Sequence, residues 1–345
     1  MSNDEHELWR LILQDVRWYP SPHNSQPIKV KPTSATQAVL YYDKKLGLPA
    51  EDYGIAFGFV CMGTFLESLR IVAAAAGYEV KSRLVLQDMD FTAKEVLHEF
   101  AQVELRKRKA TSEDKRLLAV FKKRQTSRRP YDNKLVDKRV IDGATKIAED
   151  FGYDFQTTTN TNLIKQIIAI NQKTLFDDLK RDPVYAELME WIRFSKREAA
   201  EKADGLSAQT MLMPGRVLRF AFKHRGLWET PLIGQFFKWV YLRTMQGVRQ
   251  VGWLNGPFSK PMDYVVAGQC FIRQWLYFTE HSVFLHPYGT VITNPTSHRA
   301  FVDLVQADEN SGEMVWMLFR FGYSKQPPQS FRRPAQLMII GEDVS

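Results

Sequence analysis

The sequence predicts an α+β protein built from two successive halves. Residues 56–76 and 264–284 form two long apolar stretches that are typical of buried central helices. Short runs rich in Val, Leu, Ile and aromatic residues predict strands beside them. The order of helix, strand and loop in the first half recurs in the second, with the two apolar helices in matching positions. No repeat is visible residue by residue, so the pattern indicates at most a divergent duplication.

Local patterns predict the elements of the first half in order. Apolar residues at helical spacing predict a helix over Glu7–Val16, and a proline-rich loop follows it. Strands are expected over residues 28–30, 38–42 and 80–86. The long helix over 56–76 ends at Gly77, a residue suited to a helix C-terminus. The basic run over 106–109 lies beside acidic residues and is assigned to the solvated face of a helix.

The second half is predicted to be mainly helical. A basic helix, an arginine-rich turn and another helix are expected between Asp114 and Phe151, and one or two helices interrupted at Pro183 over residues 163–197. Residues 314–323 predict a strong strand. Residues 211–253 are rich in aromatic side chains and arginine. They are either an insertion that covers a ligand or an exposed amphipathic surface.

Composition limits the classes of function. The 345 residues are 44% hydrophobic and 25% charged, the balance of a soluble protein with a substantial core. The start of the chain lacks the basic and apolar regions of a signal peptide, and no apolar run is long enough to span a bilayer, so a cytoplasmic protein is expected. Cys61 and Cys270 are expected to be core thiols. The net charge of +8 permits nucleic acid, an anionic membrane or a phosphate-bearing ligand as partner.

The most informative segment is the polar turn over residues 19–27, Tyr-Pro-Ser-Pro-His-Asn-Ser-Gln-Pro. Its three prolines stiffen a loop that presents a hydroxyl, an imidazole and two amides, although composition alone fits an ordinary surface turn equally well. The segment resembles the S-x-x-N-x-Q-P-W loop of the nitroreductase superfamily of FMN proteins, in the H-N-x-Q-P form of its Acg-like branch, with Ile28 in place of Trp. The resemblance implies that four loop residues contact FMN: Ser21, His23, Asn24 and Gln26.

A second set of residues suits a phosphate. Arg124 and Arg128 frame two hydroxyls in the sequence Arg-Gln-Thr-Ser-Arg, and forked guanidinium groups are a common way to hold a phosphate. The segment resembles the R-R-S-x-R element that binds the FMN phosphate in nitroreductases, with Thr126 on the serine position and Gln125 replacing the middle arginine. If this turn opens the following helix, the helix dipole adds to the site.

Two further segments resemble parts of the same family. Arg332 and Arg333 are similar to a C-terminal basic pair that closes on the phosphate. Pro287 and Gly289, after the second apolar helix, resemble a Pro-x-x-Gly turn near the flavin N5, shortened here by one residue. In addition, Arg197 and the pair Asp204-Gly205 resemble the R-x-A…D-G segment of the Acg-like branch.

The distribution of these motifs implies an architecture. Nitroreductases are homodimers in which the loop of one subunit and the arginines of the other meet over one flavin. Here the loop occurs in the first half and the arginine elements in the second, with Asn160 as the only remnant of a second loop. The resemblance therefore implies an intramolecular pseudo-dimer with one FMN site, central antiparallel sheets and halves at 1–112 and 113–345. The chain would be a monomer or a weak homo-oligomer.

The resemblance also implies an activity. FMN would carry hydride by a ping-pong reaction from NADH or NADPH to a small-molecule acceptor such as a nitroaromatic compound or a quinone. The alternative is a protein that holds a covered FMN with little turnover. A third class, outside the resemblance, is a basic nucleic-acid or membrane-surface protein, although no nucleic-acid partner is expected. No catalytic triad or metal motif is visible.

Residues 211–253 form either a lid over the flavin, burying their aromatic side chains, or extra outer helices.

Overall fold

The computed structural model describes residues 6–51, 56–87, 89–309 and 312–341. It divides into two compact units. The first comprises Met1–Arg124, Lys260–Leu276 and Phe331–Ser345, and the second comprises Gln125–Ser259 and Tyr277–Ser330. Each unit contains a four-stranded antiparallel sheet flanked by helices. The predicted α+β class with antiparallel sheets is confirmed.

The first unit contains a sheet and a buried central helix. Its elements along the first stretch of chain are α1 (Glu7–Val16), β1 (Ile28–Pro32), β2 (Gln37–Asp43), α2 (Ala56–Ala75), β3 (Tyr78–Leu84), β4 (Leu97–Lys107) and α3 (Ser112–Lys123). The strands pair in the order β1-β2-β4-β3. The core side chains of α1 and α2, such as Trp9, Leu13 and Phe65, are completely buried.

The second unit repeats this plan with more helices. Its elements include α4 (Lys138–Asp150), β5 (Asp154–Thr158), α5 (Thr161–Asp178), α6 (Asp182–Trp191), β6 (Ile192–Arg193), α7 (Lys196–Lys202), β7 (Leu206–Ser207), α8 (Gly215–Lys223), α9 (Pro231–Thr244), β8 (Gln250–Pro257), α10 (Pro261–Glu280), β9 (Phe284–Pro287), α11 (Gly289–Thr293), α12 (Pro295–Val305) and β10 (Glu313–Gly322). The main sheet has the order β5-β8-β10-β9, and β6 and β7 form a short parallel pair. The part of α10 up to Leu276 belongs to the first unit.

The helix expected for the basic run over 106–109 is wrong. Residues 97–107 form strand β4, which pairs with both β2 and β3. Ala101, Val103 and Leu105 alternate toward the core, so the apolar period along this stretch is two rather than 3.6. The charged residues beside them occupy the outward positions of a strand.

Two glycines allow α2 and the first part of α10 to approach each other closely. A Cβ atom built on Gly63 would lie 2.0 Å from the carbonyl oxygen of Val265, and one on Gly268 would lie 2.1 Å from the carbonyl oxygen of Val60. Both contacts are with backbone, which cannot move aside as a side chain can. Each glycine is therefore required because the facing helix leaves no room for a side chain, and not because of the conformation of its own helix.

We expect Gly63→Ala to destabilise the protein, even though alanine is the better helix former. The helix propensity gain of about 1 kcal/mol is smaller than the cost of pushing apart two packed helices, which is about 1–3 kcal/mol and rises when backbone atoms must shift. Thermal and denaturant unfolding measure the change. Gly226→Ala is the control, since no atom lies within 4 Å of the added methyl group. Equal midpoints for the two variants would contradict the close approach.

Helix α2 also satisfies the length and apolarity criteria of a membrane span. Among the described residues it is the one such helix, and 89% of its most apolar window is buried inside the protein, as in the core helix of a globular domain. Its Glu67 accepts from Arg70 Nη1 (3.1 Å) and also from Arg273 Nε (2.5 Å) on α10. Cys61 and Cys270 are buried free thiols, which confirms their expected place in the core.

Residues 211–253 contain helices α8 and α9 and the first half of strand β8. Their aromatic side chains do not share one environment. Phe222 and Phe237 are buried, whereas Phe220, Phe236 and Trp239 are each about half exposed. The expectation that the segment buries these rings is wrong for the last three, because they lie on the outward faces of two amphipathic helices.

Candidate functional site

The proline-rich loop of the first unit has an unusual backbone. His23, Asn24 and Gln26 all have positive φ angles, of 47°, 57° and 54°. Side chains other than glycine rarely adopt this region, and each such residue costs about 1–3 kcal/mol unless its surroundings hold it in place. Three within four positions indicate a conformation imposed by the contacts around the loop.

The amide side chains of the loop hold the C-terminal segment of the first unit. Asn24 Nδ2 donates to the carbonyl of Phe331 (3.0 Å), and Gln26 Oε1 accepts from the backbone N–H of Arg333 (2.9 Å). Arg333 Nη1 returns a hydrogen bond to the carbonyl of Ser25 (3.0 Å). These contacts join residues more than 300 positions apart, and they fix the paired arginines beside the loop.

The other two predicted loop residues also have partners within the first unit. Ser21 Oγ accepts from the backbone N–H of Gln26 (3.0 Å), which closes the turn. His23 Nε2 lies 3.2 Å from Glu51 Oε2. In this structure, Ser21 and the amides of Asn24 and Gln26 shape the loop and position the arginines.

Trp18, directly before the loop, organises the guanidinium groups. Arg124 Nη2 donates to the Trp18 carbonyl (3.1 Å). The guanidinium carbons of Arg17 and Arg332 lie 5.6 Å and 5.5 Å from the centre of the Trp18 ring, within cation–π distance. Arg17 Nη1 further donates to the carbonyl of Arg333 (3.1 Å). We call Arg17, Arg124, Arg332 and Arg333 the first-unit arginine cluster.

The electrostatics of this cluster favour an anion. Arg124 is only 8% exposed. Burial, together with the nearby Arg332, lowers the pKa of Arg124 to about 9. Burial lowers the pKa of Arg332 to about 10, and the charge of Arg17 contributes to the decrease. Both guanidinium groups therefore remain charged at neutral pH, although their surroundings disfavour that charge.

No carboxylate compensates these two charges within the described part of the chain. The groups that act on the pKa of Arg124 and Arg332 are other arginines and the phenol of Tyr19. Among the described residues, the buried Nε atoms of Arg124 and Arg332 also lack a hydrogen-bond partner. Buried charges are normally paired, so uncompensated guanidinium groups with unused donors are the features of a site for an anionic ligand.

The remaining predicted residues lie in the second unit. Thr126 bridges to Leu285 of β9, and Ser127 N–H donates to the Leu285 carbonyl (3.1 Å), so this segment runs beside the sheet edge. Pro287 ends β9, and Gly289 begins the short helix α11. The arginine-rich turn does not open the following helix, so the condition for a contribution of the helix dipole is not met. Helix α4 begins later, at Lys138, where the side chain of Asp137 caps it.

Arg128 belongs to a second cationic group within its own unit. Arg320 of β10 pairs in register with His286 of β9, and the charges of Arg128 and Arg320 both act on that imidazole. Burial, reinforced by these two arginines, holds the pKa of His286 well below its usual range, so the ring is neutral at pH 7. Arg320 is completely buried and donates from Nη1 to the Thr244 carbonyl (2.5 Å).

Arg17, Trp18 and Arg320 were not among the residues that the sequence predicted for the site. Arg17 and Trp18 directly precede the loop, and an arginine next to an aromatic residue at the end of a helix is a usable signal. Arg320 has no such signal, because its strand reads as an apolar core strand.

The segment that resembles R-x-A…D-G has a structural role. Arg197 pairs with Glu201 (2.7 Å) on the exposed face of α7. Asp204 instead pairs with Arg193 (Nη2 to Oδ1, 2.5 Å), and both side chains are almost fully buried. Gly205 follows with a φ of 72°, and a Cβ there would lie 2.2 Å from the Trp191 carbonyl oxygen. The pair links β6 to the turn that leads into β7.

Comparisons with known proteins find a likeness in structure only. No protein-family model and no curated protein sequence matches the chain. Similar solved structures include iodotyrosine deiodinase bound to FMN and 3-iodo-L-tyrosine, at 15% identity and a TM-score of 0.38, covering 63% of this chain and 94% of that one.

Two bacterial structures are similar to a comparable degree. A nitroreductase with bound FMN from Bacteroides fragilis is 14% identical with a TM-score of 0.36, covering 63% of this chain and 92% of its own. The FMN-dependent nitroreductase NfnB from Mycobacterium smegmatis, in complex with NADPH, is 12% identical with a TM-score of 0.34, covering 60% and 86%. At these identities and TM-scores, the likeness assigns no cofactor, substrate or activity to this chain.

Proposed function

We propose that this chain is an FMN-binding flavoprotein whose first-unit arginine cluster holds the phosphate of the cofactor. One observation carries the proposal: Arg124, Arg332 and Arg333, predicted separately from the sequence, meet at the predicted flavin loop. Of these three, Arg124 is buried and Arg332 is half-buried, and neither has a carboxylate partner among the described residues.

The donors present fit this cofactor. A phosphate monoester carries about 1.5–2 negative charges at neutral pH and accepts several hydrogen bonds. The unused Nε donors of Arg124 and Arg332 suit such an acceptor, and guanidinium groups bind phosphate through pairs of parallel donors. A dianion would also offset the burial, and the repulsion between arginines, that lower the pKa of both groups.

The chain's own residues orient and stabilise the ligand in this proposal. Asn24 and Gln26 hold the segment that carries Arg332 and Arg333, and Trp18 supports the guanidinium groups from one face. Bound FMN supplies the hydride-transfer chemistry of a flavoenzyme. For Thr126, Arg128, Pro287 and Gly289 of the second unit, contact with FMN remains a prediction from the family resemblance.

The finer function follows the same resemblance. We infer an oxidoreductase of the nitroreductase type that uses NADH or NADPH to reduce nitroaromatic compounds, quinones or related acceptors. We also infer a fused pseudo-dimer that binds one FMN per chain, because the loop and the arginines around it occur once in the sequence.

Reconstitution with flavins tests the proposal. Titration of the purified full chain with FMN is expected to saturate at one equivalent, with a change in the flavin spectrum. Riboflavin has the same ring system without the phosphate, so it should bind more weakly by at least about tenfold. No binding, two equivalents of FMN, or equal affinity for the two flavins would each contradict the proposed site.

Stopped-flow mixing of the FMN-loaded protein with NADH or NADPH, followed by a quinone, tests the oxidoreductase assignment. Rapid bleaching and recovery of the flavin absorbance are expected. A stably bound flavin that neither donor reduces would leave the FMN site in place and identify a flavin-holding protein.

A further inference from the structure

Helices α8 and α9 form an exposed surface of the second unit that the proposed FMN site does not use. We call the two the basic helix pair. Their inner sides are buried: Leu218 and Phe222 of α8 belong to a small core cluster, and Phe237 of α9 is 9% exposed. The packing of these residues settles which faces point outward.

The outward face of α9 is apolar. Leu232, Phe236, Trp239 and Leu242 are 84%, 51%, 52% and 44% exposed. Their spacing of four, three and three residues places them along one side of the helix. The rings of Phe236 and Trp239 stack at 6.1 Å. Single exposed apolar residues are common on protein surfaces, but four in a row along one helix mark an interaction surface.

Helix α8 adds to this character. Val217 and Phe220 are 40% and 52% exposed. Other exposed positions of the helix carry Arg216, Arg219 and Lys223. Both helices therefore combine large apolar side chains and cations on their outward sides.

The charged residues of the segment over 211–253 are almost all basic. Between residues 211 and 253 a single acidic residue, Glu229, occurs among the following basic residues: Arg216, Arg219, Lys223, Arg225, Lys238, Arg243 and Arg249. On α9 itself, Lys238 and Arg243 are exposed, and the Arg243 guanidinium lies 4.9 Å from the centre of the Trp239 ring. Positive charge thus lies directly beside the most exposed aromatic residues.

The combination of exposed apolar side chains and basic residues favours one class of binding partner over others. A second copy of the chain would place the same basic residues opposite one another, and like charges across an interface are unfavourable. Nucleic acid would satisfy the cations and stack on the aromatic rings, but it offers no apolar phase for Leu232 and Leu242. A bilayer with anionic lipids satisfies both features, since helices rich in Lys and Arg with exposed Trp, Phe and Leu lie in the headgroup region.

We propose that the basic helix pair binds the surface of membranes that contain anionic lipids, with the apolar face of α9 entering the headgroup layer. The second unit would lie on the bilayer without crossing it. The inference does not depend on FMN binding, because no residue of the pair belongs to the first-unit arginine cluster.

Sedimentation of the full chain with vesicles tests the proposal. We expect the protein to sediment with vesicles of phosphatidylcholine and phosphatidylglycerol in equal parts, and to remain in solution with phosphatidylcholine alone. The F236S/W239S double variant should lose binding by about tenfold or more, because it removes two apolar anchors. K238Q/R243Q should weaken binding and reduce its dependence on salt. Leu135→Ser is the matched control, since Leu135 is 51% exposed elsewhere in the same unit.

Each result decides the question. All variants alter exposed side chains, so an unchanged thermal midpoint and circular dichroism spectrum establish that they fold. Failure of the unaltered protein to bind anionic vesicles would overturn the proposal, as would equal binding by F236S/W239S. Loss of self-association in F236S/W239S without any vesicle binding would assign the surface to a second copy of the chain. Loss of oligonucleotide binding alone would assign it to nucleic acid.

Discussion

Replacing Arg124 by alanine is expected to weaken FMN binding by about 1.5–3 kcal/mol, or about 10- to 150-fold, the contribution of a hydrogen bond to a charged group. The guanidinium of Arg124 is buried, carries an unused Nε donor, and has no carboxylate partner among the described residues. The measurement is a fluorescence titration of the flavin-free protein with FMN at fixed ionic strength.

Two controls separate a phosphate contact from a structural role. Arg106→Ala removes an arginine of the same unit that is exposed and paired with Glu104, so its effect on binding should be close to zero. Riboflavin lacks the phosphate, so its affinity should be the same for Arg124→Ala and the unaltered protein. Because Arg124 also donates to the carbonyl of Trp18, an equal loss for both flavins would show that it supports the loop instead.

Replacing Asp204 by alanine is expected to destabilise the protein by about 3–5 kcal/mol, the usual cost of leaving one member of a buried ion pair without its partner. Arg193 and Asp204 are almost fully buried, with side-chain exposures of 4% and 6%. Removing the carboxylate leaves the Arg193 guanidinium charged in the interior, where water cannot reach it. Urea unfolding followed by circular dichroism measures the loss.

The exposed pair on the neighbouring helix provides the control. Glu201→Ala breaks the ion pair with Arg197, whose side chains are 87% and 60% exposed, and should change stability by less than about 0.5 kcal/mol. A double variant, Arg193→Met with Asp204→Leu, should recover much of the loss because it leaves no buried charge. A small effect of Asp204→Ala would contradict the burial of the pair.

Much of the secondary structure follows from local patterns. The apolar spacing of α1, the apolar composition of α2 and the strand-forming residues of β2 predict these elements to within a residue or so of their observed bounds. The run over 106–109 was assigned to a helix because acidic residues lie beside it in the sequence. Pairing with two flanking strands overrode that pattern in β4.

The residues that meet at the candidate site depend on contacts distant in the sequence. Arg332 and Arg333 were selected for their resemblance to a basic pair, but their place beside the loop depends on hydrogen bonds to Asn24 and Gln26. The partner of Asp204 is a further example. Arg197 is the arginine of the matching motif, yet the buried Arg193 pairs with Asp204, because β6 and β7 lie side by side.

The sequence by itself determined the α+β class, most of the helices and strands, and the stiff polar loop, because backbone propensity and the alternation of apolar residues act over a few positions. The tertiary structure alone decided that Arg17 and Trp18 join Arg124 and Arg332, that Arg128 lies in the other unit, and that α9 exposes an apolar face. Those outcomes depend on burial and on contacts between segments far apart in the chain, which local patterns in the sequence do not specify.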